Sequence, residues 1–192
     1  MSLQKINIGF AITGSFCTFT KTIIQIKKII KEGANVIPIM SYNSYNLNTK
    51  FGKAQDYIKE IEEITKNKII HSIKEAEPIG PKKITDIMIV APASGNTIAK
   101  LANGINDTPI TMAVKSHLRN SKPLVLAIST NDALSGSAEN IGKLLNRTNY
   151  YFVPFRQDNP ITKPRSIVFD PNYIIKTIKY AMNNEQIQPI LL

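Results

Sequence analysis

The segment that most constrains this chain is Asp86–Pro109, DIMIVAPASGNTIAKLANGINDTP. Asp86 to Val90 is a short apolar run of strand length. It passes into small and polar residues, Ala91 to Asn96. Ile98, Leu101, Ala102 and Ile105 then recur at helical spacing, with Gly104 and Asn106 as the stop signal. A buried strand, a turn of small residues and a helix put backbone N–H groups and a helix dipole at a strand's carboxyl end. That is where α/β proteins hold phosphates and flat cofactors.

The same alternation runs through the chain. Ile6–Ile12 reads as a first strand ending at Thr13-Gly14-Ser15, and a helix is expected from about Cys17 to Lys31, stopped by Gly33. Val36–Met40 reads as a strand, Ser41–Asn48 as a polar turn region, and Gly52–Thr65 as a helix. Ile69 and Ile70 suggest a minor strand, and Ala76–Lys83, with two prolines and a glycine, a loop. Thr111–Leu118 suggests a short helix, Leu124–Ile128 a strand ending at Ser129-Thr130-Asn131, and Ser137–Leu145 a helix. Tyr150–Pro154 reads as a late strand, Phe155–Arg165 as a basic loop, and Ile174, Ile178 and Met182 mark a last helix. The strands are apolar runs rather than polar/apolar alternations, which favours a parallel sheet covered on both faces. The expected fold is α/β, a three-layer Rossmann-like (flavodoxin-like) sandwich with a mostly parallel sheet, in one domain over residues 1–192.

Composition excludes some classes. The longest apolar runs are strand-sized, against the roughly 20 residues of a membrane span, and MSLQKINIGF enters a strand without the pattern of a signal peptide. The single cysteine, Cys17, rules out an intrachain disulfide and fits a reducing cytoplasm. Together with His71 and His117 it is too little for a Cys/His zinc site. Cys17 falls on a helical first turn and is expected to be a small packing residue. The net charge of +10 is spread over helices, with no basic run interleaved with aromatics as single-strand binders use. It suits a solvated surface, an anionic ligand or an acidic partner protein, and neither nucleic acid nor membrane is expected.

Four strand ends carry hydroxyl or small residues: Gly14 with Ser15, Ser41, Ser94 with Asn96 and Thr97, and Ser129 with Thr130. Each alone also serves as a turn or a helix cap. Together, outside the carboxyl ends of a parallel sheet, they form a polar rim suited to a phosphate-bearing cofactor. The first turn is neither a Gly-x-Gly-x-x-Gly fingerprint nor a Walker loop. Asp107 and Asp132 lie near the rim, where turn and capping roles are expected of them.

APASGNTIAKLANGINDTP and the ITGSF turn resemble the flavin-dependent cysteine decarboxylase-like flavoproteins, which include phosphopantothenoylcysteine and lantibiotic decarboxylases, with flavin prenyltransferases as relatives. The resemblance implies FMN at these strand ends, held by Gly14, Ser15, Phe16, Ser41, Ala93, Ser94, Asn96, Thr97, Ser129 and Thr130, and a homo-oligomer. Two departures from the decarboxylases stand out. Glu77–Pro81 lacks their histidine, with His71 too far upstream to take the role, and Pro109–Val114 lacks their substrate segment in a chain without tryptophan. EPIGPKK, DTPITMAVKSHLRNSKP and the stretch Asp132–Pro164 are similar to one branch of that family, the B subunits of dipicolinate synthases. That similarity implies one half of an oxidoreductase, working with the dehydrogenase-like A subunit of dipicolinate synthase on a small dicarboxylate, in the mother-cell cytoplasm of a spore-forming bacterium. Arg156, Lys163 and Arg165 would then meet the substrate's carboxylates. An FMN-dependent decarboxylase, a prenyltransferase and a non-catalytic scaffold for the A subunit remain the alternatives.

Overall fold

The strands of this protein are buried on both faces, which is why they read as continuous apolar runs. The computed structural model describes residues 2–192. In chain order the elements are β1 (Asn7–Ile12), α1 (Phe19–Lys31), β2 (Asn35–Met40), α2 (Tyr42–Asn46), α3 (Ala54–Thr65) and α4 (Ile73–Ala76). Then come β3 (Ile87–Ala93), α5 (Gly95–Ala102), α6 (Pro109–Leu118), β4 (Leu124–Thr130) and α7 (Ala138–Leu145). The chain finishes with β5 (Tyr150–Phe152), β6 (Phe155–Asn159), β7 (Lys163–Phe169) and α8 (Ile174–Ala181).

The seven strands form one sheet in the order β2-β1-β3-β4-β7-β6, with β5 also on β4. β1, β2, β3, β4 and β5 run parallel, and β6 and β7 are antiparallel additions. Successive strand residues point to opposite faces. Phe10, Ile87, Ile89 and Val125 pack with Ile26 of α1, Ile61 of α3 and Ile178 of α8. Met88, Val90, Leu124 and Leu126 pack on the other face with Ile98 of α5, Val114 of α6 and Leu144 of α7. Truncating one such residue, for example Ile89→Ala, costs about 3 kcal/mol in transfer and cavity terms. The expected sandwich with a mostly parallel sheet is therefore what this chain forms.

One edge of β4 serves two partners. Leu124–Leu126 pair with β5, whereas Ser129 and Thr130 pair with Val168 and Ile167 of β7. The β6–β7 hairpin therefore stands as an arm beside the carboxyl end of the sheet. This corrects the expectation of a loop over Phe155–Arg165. Arg156, Gln157, Asp158 and Asn159 are exposed, so the strand lacks the apolar signal and is held by the ladder to β7.

Other boundaries also shift. Ser41–Asn48 contains α2, because Ser41 caps it by accepting from Ser44 N–H at 3.1 Å. Residues 76–83 hold a 3-10 turn, Glu77–Ile79, behind the capping box of Ser72 and Glu75 on α4. β3 runs on through Ala91-Pro92-Ala93, small residues that remain fully inside the sheet. α5 ends at Ala102, and Ile105 beyond it is 47% exposed.

The amino end of the sheet is closed by polar side chains bonded to one another and to the backbone. Burial opposes the charged form of Asp86, yet hydrogen bonds from Asn7 N–H at 2.9 Å and Lys122 Nζ at 3.2 Å outweigh it and hold its carboxyl below the usual range. His117 is 1% exposed. Its neutral ring donates from Nε2 to Pro123 O at 2.9 Å and accepts at Nδ1 from Thr85 Oγ1 at 2.8 Å. Burial lowers its pKa to about 4. Gly80 N–H donates to Ser116 Oγ at 2.7 Å and leaves no room for a side chain, since a Cβ there would lie 2.0 Å from Ser116 O.

Candidate functional site

The carboxyl end is built differently. Thr13, after β1, donates from Oγ1 to Pro92 O at 2.7 Å and accepts from Ser94 N–H at 3.1 Å. One hydroxyl thus ties the ends of β1 and β3 together and sets the distance between the Gly14 turn and the start of α5. Ser94 occupies the N-cap of α5 without making a side-chain cap bond. The first-turn N–H groups of Gly95, Asn96 and Thr97 therefore lack the partner a capping serine provides. Its hydroxyl lies instead 3.2 Å from Thr97 Oγ1.

A cleft with two lobes lies over these strand ends. One lobe, 410 Å³, is lined by Thr13, Gly14, Ser41, Asn96, Thr97 and Lys100, among others. The other, 380 Å³, is lined by Ser15, Cys17, Ser129, Thr130, Lys163 and Val168, among others. Gly14 and Ser94 belong to both. Each lobe falls in the range of about 300–1,000 Å³ usual for small-molecule sites. The first is polar and meets the amino ends of α2 and α5. The second sits between the Gly14 turn and the β7 arm, whose Ile167 and Val168 give it an apolar wall.

Of the candidate cofactor residues, Gly14, Ser15, Ser41, Ser94, Asn96, Thr97, Ser129 and Thr130 all line this cleft. Phe16 and Ala93 do not. Phe16 packs against Phe19, ring centroids 5.2 Å apart, and Ala93 is fully buried in β3. Among the basic candidates Lys163 lines the second lobe. Arg156 pairs with Asp170 at 3.2 Å, and Arg165 is exposed on β7. Lys163 itself bonds Asp158 at 2.5 Å, which raises its pKa. In the first lobe Lys100 holds Asp107 at 2.6 Å and lowers that carboxyl's pKa.

Several lining residues escape sequence reading. Cys17 is exposed on the cleft rather than packed, because a 3-10 turn, Phe16–Thr18, precedes α1 and turns it outward. Thr13 is legible only as part of the ITGS turn. Ser166 reaches the cleft through the arm, which carries no strand signal of its own. His71 lines neither lobe. It stacks on Tyr45 of α2, centroids 4.0 Å apart and rings 4° from parallel, with Nδ1 3.4 Å from Glu75 Oε2.

A mostly parallel sheet with a polar cleft at its carboxyl end is a cofactor-binding type of α/β sandwich. The model of the family described as Flavoprotein matches residues 1–178, and the chain belongs to that family. More particularly, it is 44% identical over 191 residues to the B subunit of dipicolinate synthase from Bacillus subtilis (strain 168), covering 100% of this chain and 96% of the relative. The crystal structure of the corresponding B subunit from Bacillus halodurans superposes with a TM-score of 0.92 at 41% identity, covering 100% of this chain and 98% of that one. The FMN-dependent cysteine decarboxylase SpaF shares the fold, with a TM-score of 0.73 at 16% identity over 95% of this chain and 98% of its own.

Proposed function

We propose that this chain is the FMN-binding B subunit of a dipicolinate synthase. In this reading it works with a dehydrogenase-like A subunit to convert dihydrodipicolinate, or its hydrated precursor, to dipicolinate in the cytoplasm of a sporulating cell. The observation that carries the reading is the convergence of eight small or polar candidate residues on one cleft, in a chain 44% identical over its whole length to a B subunit.

The donor set fits a flavin with a single phosphate. The uncapped first turn of α5, the Gly14 turn and Lys100 would receive the phosphate in the first lobe. The flat ring suits the second lobe, between the Gly14 turn and Val168. Bound flavin supplies an acceptor for the hydride equivalent lost when a dihydropyridine ring becomes aromatic. The chain orients the ring, and Thr13 keeps the two lobes in register. Lys163 at the mouth neutralises a substrate carboxylate, while Arg156 and Arg165 on the arm add positive charge along its approach or meet the A subunit. The family's assembly into homo-oligomers is part of the same proposal.

An absorbance titration tests this. Purified protein, alone or with added FMN, shows bound-flavin bands near the blue, and the A subunit is required for full turnover. A chain that stays colourless and rejects FMN while still supporting synthesis overturns the flavin role.

A further inference from the structure

A second concavity lies at the opposite end of the strands from the cleft, where α5 and α6 end and the turn after α7 enters β5. Three cavities of 480, 350 and 360 Å³ succeed one another there. The first two share Leu118, Arg147 and Tyr150, and the last two share Lys115 and Arg119, so they form one open groove. Its floor is apolar, made by Leu101, Val114 and Leu118. Ile105 and Leu145, each next in sequence to a lining residue, extend the apolar surface and are both 47% exposed.

The rim of the groove is cationic. Arg147 donates to Leu101 O at 3.1 Å and to Ala102 O at 2.6 Å, the last carbonyls of α5, and its guanidinium lies 6.0 Å from the centroid of the Tyr150 ring. Lys115 and Arg119 are exposed, and neither has an acidic partner among the described residues. The dipole of α6 favours cations in its last turn. It does not explain why Arg147, from a different element, joins them. Among the described residues Glu77 is the one carboxylate lining any of the three cavities, and it stands at the far end.

An apolar floor under a cationic rim fits an amphipathic chain whose carboxylates meet the rim and whose apolar side chains meet the floor. A nucleic-acid backbone offers the floor nothing. A second copy of this chain is a poor match in charge, since each copy carries a net +10. We propose that the groove of Lys115, Arg119 and Arg147 docks an acidic, amphipathic segment of the partner A subunit. The proposal rests on the B-subunit reading above and gives it a surface for that partner. Docking here leaves the cleft and the β6–β7 arm open to flavin and substrate.

The test titrates the purified A subunit into the full chain and follows complex formation by calorimetry at low and high salt. Wild type binds, more weakly as salt rises. Lys115→Glu with Arg119→Glu reverses two rim charges without removing a bond, and lowers the affinity about tenfold or more. Lys115→Gln with Arg119→Gln falls between the two and carries the measurement if the reversed pair does not fold. Lys28→Glu with Lys31→Glu on α1 changes the net charge as much and keeps the wild-type affinity. Wild type that forms no complex overturns the partnership and this proposal together. A complex that ignores salt, that is equally strong in the groove variants, or that is weakened as much by the α1 pair overturns the groove alone. So does a loss seen with Arg156→Glu and Arg165→Glu on the arm but not with the groove variants. A changed oligomeric state of the isolated chain in the groove variants assigns the groove to a second copy and overturns the proposal as well.

Discussion

The two ends of the sheet are made from similar polar residues put to opposite uses. At the amino end, Asp86, Lys122, Thr85 and His117 hold short bonds to partners distant in the chain, and His117 has both ring nitrogens occupied. At the carboxyl end, Ser15, Ser94, Thr97 and Ser129 make contacts of 3.2 to 3.3 Å with one another. The first end's groups are mostly committed to one another. The second keeps the Ser15, Ser94 and Ser129 hydroxyls in looser contacts and leaves the α5 first turn uncapped. In the proposed reading the amino pole serves the fold and the carboxyl pole the ligand.

The largest expected effect is at the amino pole. Because burial holds His117 at about 4 against 6.5 in the unfolded chain, the unfolded state binds more protons between these values. Stability is full above pH 6.5 and is lost as pH falls through 4. The loss between pH 7 and pH 4 is about 3 kcal/mol. Urea midpoints of wild type and His117→Gln across that window isolate it, and equal slopes would contradict the assignment. Next comes Gly80→Ala, where the overlap with Ser116 O costs about 2 kcal/mol or more. Its FMN affinity stays at the wild-type level, and a joint loss of both would break the separation of the two poles.

Thr13→Val is the intermediate case, since it removes the bonds to Pro92 O and Ser94 N–H. It lowers stability by about 1 kcal/mol and, by loosening the two lobes, also weakens FMN. The smallest effect on stability is that of Ser129→Ala, under about 0.5 kcal/mol, because the contact to Ser15 is long. Its FMN affinity nevertheless falls several-fold. Equilibrium unfolding and flavin titration on the same four preparations show whether the two quantities separate as described.

What is legible in the sequence follows from these differences. β1, β3 and β4 announce themselves because burial on both faces demands unbroken apolar runs. The cleft's hydroxyls can be picked out because each directly follows such a run, as Ser129 follows Ile128. The β6–β7 arm cannot, since FRQDN and KPR are exposed and carry the charge and proline of a loop. Nor can the meeting of Arg147 with Lys115 and Arg119, which are far apart in the chain and are brought to one groove by the packing of α5, α6 and α7. Cys17 reads as a packing residue but is not one, because the register of α1 begins two residues after it.

The forked edge of β4 has a mechanical consequence. The arm is fastened to the sheet through Ser129↔Val168 and Thr130↔Ile167, and the same two β4 residues line the cleft. A ligand bound against those residues, as proposed, would stiffen the hinge by which the arm hangs. The arm would then register occupancy of the cleft. Its amide protons exchange more slowly, and proteases cut the exposed tip around Ile161 less readily, when the cleft is filled.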